Sequence, residues 1–82
     1  MIHVYFYENC EARDKNVKEG GTLLGIASDP EELHKIINRM PEGHTLNYFS
    51  GEKAMSLYEA MIELGAWWND LVEDFVWKGR EF

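Results

Sequence analysis

The sequence predicts an α+β fold of the order ββαβα: a three-stranded, mainly antiparallel sheet (strand order 2-1-3) with both helices on one face. Three observations carry this. Residues 2–7, Ile-His-Val-Tyr-Phe-Tyr, are rich in β-branched and aromatic types. Ser28-Asp29-Pro30-Glu31-Glu32 has the composition of a helix start. Downstream of it, apolar residues recur at helical spacing in two places. A chain of 82 residues suits one domain spanning 1–82.

In the first strand Ile2, Val4 and Phe6 share one face, and His3, Tyr5 and Tyr7 share the other. Both faces are bulky, as expected of a central strand. Glu8 to Gly21 is polar and turn-rich, a long connection that holds the basic cluster Arg13, Lys15 and Lys18. Thr22 to Ala27 is the second strand, with Gly25 marking a bulge. Asp29 caps the first helix, Pro30 takes its first position, and Glu32 stands three residues after the cap. Leu33, Ile36, Ile37 and Met40 form its buried stripe, and Pro41 ends it. The Glu42-Gly43 turn introduces a third strand from His44 to Phe49. Ser50 then caps a long helix over about 51–77, preferred as continuous through Gly65 to the alternative of a kink there with Trp67 beginning a separate helix, and Lys78, Gly79 and Arg80 close it. The right-handed crossover rule places the first strand in the middle. The sheet face bearing His3, Tyr5 and Tyr7 is then left without a helix, either wet or meeting another molecule.

The long helix carries two opposed stripes. At about 100° per residue, Glu52, Glu59, Glu63, Asp70 and Asp74 fall on one side, and Ala54, Leu57, Met61, Trp68, Val72 and Phe75 on the other. Trp67 and Trp77 flank the acidic side, in the position of interface anchors. On one helix Glu59 and Glu63 rise about 6 Å apart, and Glu63 and Asp70 about 10.5 Å. Such a row can stand in for phosphates of a nucleic acid, where one strand carries a charge per ~3.4 Å. Glu59, Glu63, Trp67, Asp70, Asp74 and Trp77 are therefore the candidate partner-binding residues.

Fifteen acidic residues against eight basic ones give a net charge of −7. That repels nucleic acid and anionic membrane as direct partners and favours a protein with a basic surface. Cys10 is the lone cysteine, so no internal disulfide framework forms and a reducing cytosol is the expected compartment. No secretory leader pattern and no apolar run of ~18 residues are expected from the sequence. His3, His34 and His44 lack metal spacing, and no phosphate loop or nucleophile signature is present, so no catalytic residue, metal or cofactor is expected. Two functions remain. The first is an acidic cytoplasmic inhibitor that blocks a basic partner such as a nucleic-acid-binding enzyme, in the manner of a phage or mobile-element anti-defence protein. The alternative is a self-associating module, a homodimer that needs no charge complementarity. A small-ligand pocket near Tyr5, Tyr7 and Tyr48 would instead mark an enzyme or sensor.

Overall fold

The computed structural model describes residues 1–40, 45–78 and 80–81, the last two by backbone alone. Its first sheet holds β1 (Ile2–Tyr7), β2 (Thr22–Ala27), β3 (Thr45–Ser50) and β4 (Lys53–Met55), in the order β2-β1-β3-β4. The expected 2-1-3 arrangement is present, and β4 extends it to four strands, all paired antiparallel. Because β2 and β3 are both antiparallel to β1, they run parallel to each other. The connection between them contains α2 (Pro30–Ile37), which crosses over one face.

That crossover helix starts as its residues dictate. The Asp29 carboxylate accepts from the Glu32 amide at 2.8 Å, and Glu32 Oε1 accepts from the Ser28 amide at 2.7 Å. These bonds satisfy donors that a helix start leaves unpaired. α2 stops at Ile37, short of the expected Met40. Asn38 is its C-cap, and the next two amides, of Arg39 and Met40, bond three residues back instead of four. The tightening rotates Met40 off the stripe and leaves it exposed. Pro41, the Glu42-Gly43 turn, His44 and Gly79 lie outside the described residues.

The core lies between this sheet face and the helices. Ile2, Val4, Ala27 and Tyr48 from the strands meet Leu33 and Ile36 of α2, and Ala60 and Met61 of α3 (Leu57–Glu63). Gly25 is needed here. A Cβ on it would lie 2.9 Å from the Ile36 side chain, and the β1–β2 register slips beside it.

The opposite face is not left open as expected. Residues 8–21 fold back across it as a strap that includes the single helical turn α1 (Cys10–Arg13), capped by Asn9. The Tyr7 hydroxyl donates to the Val17 carbonyl at 2.7 Å. Asn47 Nδ2 donates to Arg13 O at 3.4 Å and to Asn16 Oδ1 at 3.3 Å. Lys18 Nζ lies 5.9 Å from the Tyr5 ring centre and 5.8 Å from that of Phe49. Gly21 passes so close to Tyr7 that a Cβ would sit 2.6 Å from the ring. Tyr7 and Phe49 are thereby buried. A connection of this length reaches back over the strands, and burying two aromatic rings stabilises its return. Tyr5 and Tyr48 occupy opposite faces of the sheet, since Tyr5 pairs with Asn47 and Tyr48 with Val4. The three tyrosines therefore do not line one pocket.

The long helix over 51–77 is also overturned. Gly51, at φ +64°, turns the chain from β3 into β4, so Ser50 ends a strand and caps no helix. The helix that does form begins after Ser56, in a reciprocal box with Glu59. It ends at Glu63 with Leu64 as its C-cap, and Gly65 follows at φ +104°. The Gly65 amide bonds Ile62 O and the Ala66 amide bonds Met61 O, both at 3.0 Å, the pattern of a glycine-terminated helix. The remaining apolar residues form a second sheet: β5 (Trp67–Asn69), β6 (Asp74–Trp77) and β7 (Arg80–Glu81), in that order. Tryptophan, phenylalanine and valine prefer strands, and nothing beyond Gly65 restarts a helix.

Candidate functional site

The structure sorts the six expected site residues into two groups instead of one row. Glu59 and Glu63 stand one turn apart on α3, both exposed. Glu59 also closes the Ser56 box, and Glu63 Oε1 accepts from Ser50 Oγ at 3.3 Å. Together with Lys53, Met55, Tyr58 and Ile62 they border a shallow groove of about 270 Å³ between β4 and α3. Asp70 and Asp74 belong to the β5–β6 hairpin. Asp70 Oδ1 accepts from Trp68 Nε1 at 2.9 Å, and Asp74 Oδ1 accepts from the Phe75 amide at 2.7 Å. The regular Glu63-to-Asp70 spacing required one helix, so the phosphate-like row is absent.

The tryptophans also part. Trp67 pairs with Val76 and Trp68 with Phe75, so Trp67 and Trp77 lie on opposite faces of the hairpin. Trp67 is 52% exposed. Trp77 packs partly against the core, with Lys78 Nζ 4.6 Å over its ring. Trp68, expected in the core, is 38% exposed and meets Phe75 edge-to-face at 5.2 Å.

The residues that sequence reasoning missed are apolar and wet. α3 exposes Tyr58 and Ile62, the hairpin exposes Leu71 (95%), and Leu57 and Val72, expected on the inward stripe, are exposed as well. Tyr58 reaches Phe75 at 5.7 Å, which joins the two elements into one surface. Between Lys53 and Lys78 the segment that builds this surface carries charge of one sign. Residues 54–77 contain five carboxylates, Glu59, Glu63, Asp70, Glu73 and Asp74, and no Lys, Arg or His. The ion pairs seen among the described residues lie elsewhere: Arg13–Asp14, Lys18–Glu52 and Lys35–Glu31. That imbalance was legible as the absence of basic residues between Lys53 and Lys78.

Two further depressions adjoin this surface. One, about 280 Å³, lies between α2, α3 and the hairpin. The other, about 590 Å³ and more open, runs past Ile37 and Leu57 to Met40, Leu46 and Tyr48, with no carboxylate among its described lining. Burial pushes the Tyr48 phenol up to about 12. Burial, and secondarily Tyr5, also raises Tyr7. Among the described residues no group of His, Cys, Asp and Glu is placed to hold a metal ion, and no helix is long and apolar enough to cross a membrane. No protein-family model matches this chain, and no curated protein or solved structure matches it.

Proposed function

We propose that this protein acts by binding: it sets the face formed by α3 and the β5–β6 hairpin against a basic surface of another protein and blocks it. One observation carries the reading. Exposed aromatic and aliphatic side chains coincide with five carboxylates in a segment free of basic residues. Apolar contacts of this kind supply affinity, and charge of one sign supplies steering and choice of partner. A nucleic-acid-binding enzyme is the favoured partner class, because its working surface is necessarily basic. An inhibitor of this chemistry suits a phage or mobile element acting against a host defence enzyme. The cytosol is the compartment proposed, since Cys10 is exposed and unpaired.

Affinity capture from the native lysate, with a nuclease control, tests the reading. The Glu63→Lys/Asp70→Lys double variant is expected to lose the captured protein at low and moderate salt. Undiminished capture would refute it. The competing reading, self-association, draws on the 95% exposure of Leu71. Light scattering after size exclusion separates the two, because a dimer that survives high salt favours self-association.

A further inference from the structure

The cleft between α2, α3 and the hairpin is lined by apolar and aromatic side chains together with two carboxylates, and α2 contributes His34 and Ile37 to it. Leu57 and Met61 of α3 form one wall, and Trp68 and Phe75 of the hairpin form the other. The aromatic wall is held in advance of any binding. Trp68 donates its indole N–H to Asp70 at 2.9 Å, and its ring meets Phe75 at an interplanar angle of 80°. Glu73 and Asp74 add two carboxylates. Glu73 reaches that place at φ +53°, a conformation in which glycine or asparagine is the usual occupant. At about 280 Å³ the cleft falls just below the range of drug-sized pockets, ~300–1,000 Å³. It suits one side chain better than a folded segment.

An apolar channel with an aromatic wall and anionic groups complements a long alkyl stem that ends in a cation. Lysine and arginine are the side chains built that way. We infer that this cleft receives a single lysine or arginine side chain of the partner, with the stem against Leu57 and Met61 and the cation between the Trp68–Phe75 wall and the Glu73 and Asp74 carboxylates. The inference rests on the binding reading above and names the group that is read.

The test titrates the ¹⁵N- and methyl-labelled full chain with n-butylguanidinium, n-butylammonium and the neutral n-butylurea. Shifts centred on the Trp68 indole N–H and the Leu57 and Met61 methyls are expected with either cation and not with the urea. The stronger cation distinguishes arginine from lysine. In Glu73→Gln/Asp74→Asn the cation should bind roughly five- to tenfold more weakly. The charge-matched Glu8→Gln/Glu11→Gln variant, altered in the strap, should bind as the parent does. Equal shifts with butylurea, shifts spread over all carboxylates, or unchanged affinity in the Glu73/Asp74 variant would overturn the inference. The cation–urea comparison is made on the parent protein, so it decides even if that variant fails to fold. No partner protein is involved. A silent cleft beside charge-sensitive capture sinks only this inference, and a responsive cleft beside charge-indifferent capture sinks only the wider reading.

Discussion

Phe49 is 1% exposed and Leu71 is 95% exposed, although both are large and apolar. Their surroundings differ in the same sense. Around Phe49, a strap carrying Lys18 closes over the sheet, and Lys18 approaches Glu52 at 3.7 Å. Leu71 has no such cover, and its charged neighbours in the sequence, Asp70, Glu73 and Asp74, are all acidic. One end of the molecule spends its aromatic residues on its own interior. The other presents them. Apolar content by itself therefore does not mark a core, and the sign and placement of neighbouring charges help tell the two uses apart.

The widest separation between the two ends should come from truncation. Phe49→Ala is expected to cost about 3–5 kcal/mol of folding stability. Leu71→Ala should stay within about 0.5 kcal/mol and act on partner capture instead. Urea denaturation of both variants measures this, and a large stability loss at Leu71 would break the contrast.

Alkali should act next, and again at the sheet. The folded protein holds the Tyr48 proton up to about 12, above the ordinary value of 10.0. This contribution is fully present below pH 10 and is lost as pH rises from about 10 to 12, some 2–3 kcal/mol in all. Tyr7, also raised, adds to the loss in the same direction. Tyr48→Phe should flatten the stability profile between pH 10 and 12. An unchanged profile would place the alkaline weakness elsewhere.

The two smaller effects concern the presenting end. Ser56→Ala removes the box that starts α3 and should cost about 1 kcal/mol, read as a lowered thermal midpoint. Glu73→Gly relieves a left-handed side chain and should stabilise by about 0.5–1 kcal/mol while weakening cation binding in the cleft. If both properties fell together, Glu73 would be serving the fold.

The same contrast explains what could be read in advance. β1, β2, β3 and the start of α2 were legible because each rests on adjacent residues: an alternating aromatic run, or Asp29-Pro30 with Glu32 behind it. The strap was not legible, because its closure over Tyr7 and Phe49 depends on the distant Val17 carbonyl and Asn47 amide. The error over 51–77 had another origin. A helical wheel over so many residues gathers apolar positions onto one side even where the chain turns, and Gly51, Ser56 with Glu59, and Gly65 were stronger local signals. Glu59, Glu63 and Asp70 were correctly read as outward-facing, whereas Asp74 is half-buried. Their common line was not, since it depended on that helix. Leu71 escaped notice because an exposed aliphatic residue in a turn has no periodicity to reveal it, and Val72 was misplaced on the inward stripe of that same helix.

All three tryptophans of this protein stand in β5 and β6, whereas Tyr5, Tyr7 and Tyr48 stand in the first sheet. Indole emission is thus weighted to the hairpin, with Trp77 also reporting the part of the core it packs against. Circular dichroism at 222 nm averages over the whole backbone. If the hairpin loosens before the larger sheet gives way, the emission curve will run ahead of the dichroism curve on heating, and a single midpoint will not describe the protein.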